Sequence, residues 1–217
     1  KMTHCEKLAP MIDGVLKNLN MKPADIDIFA AITGPGSFTG LRIGVTTIKT
    51  IAYALKKPVI GITTLDALAF NIPICSDIIC PIIDARNNQV YTALYRWKDN
   101  RQEKMTDYMG IHVNELIEKI KESIKDGNKK VFILGDGVRA HKDWFLRELK
   151  DACLFPPGNL MLQKASTAAA MVFYELKQKG ELNEADISKL RQLDEINKLV
   201  PFYLRKSQAE RLYGNGK

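Results

Sequence analysis

The sequence predicts an α/β protein made from one unit used twice, the first copy lacking its opening three strands. Three observations carry this prediction. Strand and helix patterns alternate along most of the chain. The series of elements in the second half contains the series in the first. A glycine turn, Gly34-Pro35-Gly36 and later Gly135-Asp136-Gly137, leaves a strand and opens a helix at matching places.

The first copy begins with Leu8, Met11, Ile12, Val15, Leu16 and Leu19 at helical spacing, so residues 5–19 read as an amphipathic helix. A strand (27–33), a helix (37–56), a strand (58–62) and a short helix (64–70) follow. Ser37 and Thr39 are suited to cap the free N–H groups at the start of the second helix. The second copy opens with a strand at 78–84. A polar Arg-Asn-Asn-Gln turn leads to an alternating strand at 90–97, and a third strand is expected within 105–113. Then come a helix (114–125), a strand (131–134), a helix (141–149), a strand (152–155) and a helix (166–179). This repeated unit resembles the duplicated domain of actin, sugar kinases and Hsp70, the ASKHA fold, with expected subdomains 1–72 and 73–217. The absence of a strand series before Lys1 leads to the expectation of a truncated or proteolysed chain with an exposed sheet edge, open to pairing with a neighbour.

Bulk properties narrow the function classes. The chain has 217 residues, 46% hydrophobic and 26% charged, which suits one large or two small globular domains. No apolar run approaches the ~18 residues of a membrane span, and no signal-peptide pattern opens the chain, so a cytoplasmic protein is expected. Cysteines 5, 75, 80 and 153 lack metal or disulfide-framework spacing and are expected to be reduced and mostly buried. The net charge of +7 permits an acidic partner, but the basic residues are scattered. Their densest run, 119–130, reads as the solvated face of a helix and its turn.

The segment Ile32-Thr-Gly-Pro-Gly-Ser-Phe-Thr-Gly-Leu-Arg-Ile-Gly44 is the most informative stretch. A strand, a glycine turn and a helix start form a ready anion site. Both standard nucleotide motifs fail here, however. The dinucleotide fingerprint meets Thr39 where it needs glycine, and the P-loop meets Leu41 and Arg42 where it needs glycine and lysine. A capped helix start that binds nothing and a nucleotide or partner loop built from Gly34, Gly36, Ser37, Thr39 and Arg42 both stand at this point.

Residues 34–45 together with Lys57-Pro-Val-Ile-Gly-Ile-Thr-Thr-Leu-Asp-Ala-Leu-Ala69 resemble the bacterial TsaB (YeaZ) family. Three further stretches agree: His4 with Glu6-Lys7-Leu8, Asp84-Ala85-Arg86 followed by Val90-Tyr91, and residues 203–210. The resemblance implies the ASKHA fold and a role in forming threonylcarbamoyladenosine on tRNA. It implies a protein with no turnover or cofactor of its own. It also implies docking to TsaD, which carries the metal and transfers the threonylcarbamoyl group, alongside the ATPase TsaE. The other implied associations are a homodimer in isolation, tRNA met through the complex, and room for ATP or ADP at the interface with TsaD. No membrane partner is implied.

A zinc peptidase needs clustered ligands, but the only histidines, 4, 112 and 141, are far apart and no H-E-x-x-H occurs. No serine sits in a G-x-S-x-G elbow. A self-contained ASKHA-type ATPase needs phosphate loops. The candidate at Asp84–Asn88 has the aspartate but no glycine, and Asp84 with Arg86 reads instead as a structural ion pair. Direct tRNA binding remains a further alternative, with the tail (Arg205, Lys206, Arg211 and Lys217 against Glu210) either packed on the body or reaching for RNA. For association, Gly40, Gly44 and Thr47 form a small-residue row on the second helix. The family resemblance places the partner surface on the first two helices. The implied interface residues are Leu8, Met11, Ile12 and Val15 with Gly40, Ile43, Gly44, Thr47 and Ile51.

Overall fold

The structure is a computed structural model and describes residues 4–125, 129–180 and 198–204. Its chain forms two compact units, one built from residues 1–63 and 168–202, the other centred on residues 64–167. The elements are α/β throughout, in the ASKHA-like arrangement.

Unit 1 contains α1 (His4–Asn18), β1 (Phe29–Gly34), α2 (Phe38–Leu55) and β2 (Val59–Thr63). β1 and β2 pair in parallel, with Phe29 opposite Val59 and Ile32 opposite Ile62. The core of this unit forms where Val45 and Ala52 of α2 meet Phe29, Ala31 and Val59 of the sheet, joined by Leu199. α2 ends in a left-handed Lys56, which lets the chain reverse directly into β2.

Unit 2 opens with α3 (Thr64–Ala69), followed by β3 (Ile78–Asp84), β4 (Gln89–Thr92), β5 (Tyr95–Lys98), β6 (Arg101–Lys104) and β7 (Met109–His112). After these come α4 (Val113–Ser123), β8 (Val131–Leu134), α5 (Val138–Leu149), β9 (Cys153–Leu154) and α6 (Gly158–Met161), and then α7 (Ala165–Lys179), which belongs to unit 1 from Ala168 onward. β3 is the central strand, parallel to β8 on one side and antiparallel to β4 and β5. Six of its seven residues are buried, and successive side chains enter two different cores. Ile78, Cys80 and Ile82 meet α4 and α5, whereas Ile79 and Ile83 meet α3. Burial on both faces is why this strand reads as an unbroken apolar run.

The single strand expected at 90–97 is recorded as β4 and β5, but one register runs through both. Ile82 faces Thr92, and three residues back along β3 Ile79 faces Tyr95, three residues forward. β6 and β7 pair with β5 and β4 in turn, and two extra residues are accommodated between them. At the break, Thr106 accepts a hydrogen bond from the Leu94 N–H (3.0 Å). The strand β6 was not anticipated, because Arg101-Gln102-Glu103-Lys104 carries no apolar alternation. It forms because Asp99 and Asn100 both adopt positive φ, the two-residue turn that suits a hairpin. Its charged residues also protect an edge strand. α5 begins at Val138, three residues before the expected start.

The expected division at residue 72 moves to residues 63/64, and α7 beyond Thr167 groups with unit 1. The physical reason is α3: Leu65, Leu68 and Ala69 are fully buried against Ile79, Ile83 and Tyr95. Asp66 reinforces this by accepting hydrogen bonds from the Tyr95 and Tyr108 hydroxyls, each at 2.7 Å. Buried Asn71 ties the following loop, donating to the Leu160 and Leu162 carbonyls and accepting from Thr167. An Asn71→Leu variant leaves three polar groups without partners and is expected to lose about 2–4 kcal/mol in urea unfolding.

Candidate functional site

The two glycine turns occupy equivalent positions and share a backbone device. Gly34 ends β1 with φ 127°, and Gly135 follows β8 with φ 108°, conformations that disfavour any side chain. In each case the space beside the glycine is filled by the chain itself. A Cβ on Gly34 would collide with the Phe202 carbonyl oxygen and lie 2.9 Å from Leu41 Cδ1. A Cβ on Gly135 would collide with the Ile82 carbonyl oxygen. Close approach of backbone to backbone is therefore what these glycines serve. Ser37 caps α2 as expected, its Oγ accepting from the Gly40 N–H at 3.3 Å. Thr39 lies inside the helix and not at its cap, and Gly36 is exposed. The Arg42 guanidinium stacks 4.0 Å from the Phe38 ring centroid.

The second turn brings Asp84 and Asp136 together at the carboxyl ends of neighbouring strands. Asp136 Oδ1 accepts from the Asp84 N–H at 3.1 Å, and Asp84 Oδ1 accepts from the Arg86 N–H at 2.7 Å. The expected Asp84–Arg86 ion pair is thus corrected: among the described residues the side chains do not pair, and the contact is an aspartate-closed turn. Arg86, Asn87 and Asn88 continue it with φ of 62°, 53° and 56°, and the Arg86 contact to the carboxylate is made by its backbone N–H. Burial raises the Asp136 carboxyl above its ordinary range, opposed by the Asp84 N–H and increased by the Asp84 charge. The Asp84–Asn88 segment holds no glycine, and the Gly135 and Gly137 N–H groups donate to the Met161 and Ile82 carbonyls, so with two carboxylates beside them this turn is a poor phosphate cradle.

His141 lies behind this turn, 5% exposed, with Nε2 lacking a hydrogen-bond partner. Its ring stands 6.3 Å from Trp144, which also meets His112 at 5.9 Å. Burial lowers the His141 pKa below 6.5; Asp84 opposes this and His112 adds to it. The folded state therefore refuses a proton that the unfolded chain accepts. Stability from this group is complete above about pH 6.5 and is lost as pH falls through the depressed folded value. Urea unfolding at pH 7.5 and 5.5 is expected to show the loss, and His141→Phe should flatten it. Among the described residues, no three His, Cys, Asp or Glu side chains gather to hold a metal ion. Burial pushes the Cys80 thiol up to about 12 and Cys153 to about 11, so both remain protonated; the Cys5 side chain lies outside the described residues.

The first helix offers a different kind of site. Its apolar residues form two adjoining rows. Leu16 is buried and Leu8 and Ile12 are half-buried, on a helix that packs against α2. Met11, Val15 and Leu19 point outward, 65%, 59% and 62% exposed. Three large apolar side chains one turn apart, all open to solvent, depart from the usual fate of such a row. On α2, Ile43, Gly44 and Thr47 are half-buried, and a Cβ on Gly44 would meet nothing within 4 Å. Gly40 sits against Ser37. Ile51, also half-buried, packs on the buried cluster of unit 1.

A family model described as TsaD, tRNA N6-adenosine threonylcarbamoyltransferase, matches residues 1–213. The tRNA threonylcarbamoyladenosine biosynthesis protein TsaB of Bacillus subtilis is 31% identical over 210 residues, 97% of this chain and 83% of that protein. The chain belongs to the TsaB (YeaZ) family. The TsaD model takes in this TsaB-family chain along nearly its whole length, so the two are homologous. A threonylcarbamoyltransferase of Sphingopyxis alaskensis is 38% identical over 68 residues, 31% of this chain and 20% of that protein. The solved YeaZ of Pseudomonas aeruginosa superposes with a TM-score of 0.68 at 20% identity, covering 92% of this chain and 85% of that one. It shares the ASKHA-like fold. The basic run expected to be a solvated face behaves as one where it is described: Lys119 pairs with Glu115, and Lys121 with Glu118 and Glu148. No helix among the described residues is long and apolar enough to cross a membrane. The basic tail from Arg205 onward lies outside the described residues.

Proposed function

We propose that this TsaB-family chain acts in tRNA threonylcarbamoyladenosine biosynthesis as a non-catalytic partner of TsaD, docking through the α1–α2 face. The observation that carries this reading is the outward row of Met11 and Val15 on α1 with Leu19 just past its end, three apolar side chains left in solvent. Homology to TsaD supports it: a related chain with the same pair of helices can present a matching face across a pseudo-two-fold axis. The same face pairs two copies of this chain when TsaD is absent.

The catalytic burden falls on TsaD in this reading, with TsaE joining the complex and tRNA met through it. Asp84 and Asp136 each accept from a backbone N–H, which suits a turn that holds shape more than one that handles phosphate. ATP or ADP belongs at the interface with TsaD, not in a site owned by this chain. Isothermal titration with purified TsaD is expected to give a saturable one-to-one complex. The chain alone is expected to release no phosphate from ATP. Failure to bind TsaD, or phosphate release that follows the purified chain through successive columns, overturns the reading.

A further inference from the structure

We propose that residues 198–202 are an internal strap that sets the position of α2, and with it the docking face, with Lys49 as a positioning residue. The inference rests on the reading of the α1–α2 face as the surface that meets TsaD.

The strap holds α2 at one end and, at the other, the end of β1 from which the chain turns into α2. At its first end Leu199 is 7% exposed and enters the core formed by Val45, Ala52, Phe29, Ala31 and Val59. The seat for its side chain is a missing one: a Cβ on Gly61 of β2 would lie 2.8 Å from Leu199 Cδ1. Lys49 follows Val45 by one turn and precedes Ala52 by one, so it emerges from the core-facing side of α2. Its Nζ donates to the Leu199 carbonyl at 3.2 Å. At the other end the Phe202 N–H donates to the Thr33 carbonyl at 2.8 Å. There the Phe202 carbonyl lies over Gly34, whose other neighbour is Leu41 of the first turn of α2.

A short stretch of chain therefore spans from the middle of α2 to the turn that starts it. The intervening Val200 is 60% exposed and makes no part of the seat. Leu199 fills the space that Gly61 leaves beneath α2. Removing that side chain leaves a void into which α2 can settle. α1 packs on α2, so the outward row of Met11 and Val15 moves with it. Lys49 does this without touching the partner: it couples the carbonyl of Leu199 to the helix.

The test is TsaD binding by titration calorimetry, well below the melting temperature, with thermal melts and amide exchange of α2 in parallel. Leu199→Ala is expected to weaken TsaD binding about tenfold and speed α2 exchange, while Val200→Ala changes neither. Lys49→Met is expected to weaken binding several-fold, and Lys49→Arg, which keeps a donor, to restore it. A purely structural strap predicts lower melting temperatures with unchanged affinity, and that result overturns the proposal. Should Leu199→Ala fail to fold, the Lys49 pair decides alone. Met11→Asp run alongside separates the two readings. If it leaves affinity intact, the docking face itself is wrong. If it weakens binding while the strap variants do not, the strap alone is wrong.

Discussion

Met11→Asp and Val15→Asp are each expected to weaken the complex with TsaD at least about 100-fold while leaving the isolated fold unchanged. Both side chains are more than half exposed, so aspartate meets water in the free chain and costs little. In a helix-to-helix contact the same carboxylate is buried without a partner. The penalty then appears only on association, which separates a docking surface from a core. Calorimetry with TsaD and size-exclusion of the chain alone measure the two associations, and urea unfolding checks the fold. Leu16→Asp is the contrasting case: Leu16 is 8% exposed, so that change is expected to unfold the unit. Gly44→Ala sharpens the picture, because open space around Gly44 makes alanine favourable to helix stability by about 0.5–1 kcal/mol. If a partner helix approaches there, the same methyl group weakens binding despite the more stable fold.

Gly135→Ala is expected to cost about 3 kcal/mol or more and to leave little soluble protein. Two effects add at this position. The backbone holds φ 108°, a conformation costly for any residue with a Cβ. The new methyl would also collide with the Ile82 carbonyl oxygen on the central strand β3 and lie 3.0 Å from its carbon. Neither neighbour can yield, since Ile82 is fully buried in the main core. Gly158→Ala, where nothing lies within 4 Å of an added Cβ, is the matched control, expected to change stability by less than about 1 kcal/mol. Unfolding in urea distinguishes them; equal stability of the two variants would contradict the close-approach argument.

The repeated order of elements was legible because periodicity is local. The 3.6-residue spacing of Leu8 to Leu19 and the unbroken apolar run at 78–83 need no knowledge of partners. The equivalence of Gly34 and Gly135 was legible for the same reason, as each sits between an apolar strand and a helix start. What covers each glycine was not. Phe202 lies far along the chain from Gly34, and Ile82 far from Gly135, so no local pattern marks either contact. The Asp84–Arg86 pairing was misread because opposite charges two residues apart suggest attraction. Three successive residues at positive φ instead form a tight turn in which the Arg86 N–H meets the carboxylate. His141 carried no signal at all, since a single histidine in an amphipathic helix looks like a surface residue until its neighbours are placed.

Sequence alone determined the α/β class, the duplicated arrangement and the family, because these follow from local spacing and from an unusual glycine-rich string. Tertiary structure decided which apolar residues are core and which are surface. Ile51 and Met11 look alike in the sequence; Ile51 packs on the unit 1 core and Met11 faces solvent. The difference lies in what the sheet and α2 leave uncovered. A helix with an apolar face wider than its support must expose one edge of it, and only the packed fold shows which edge.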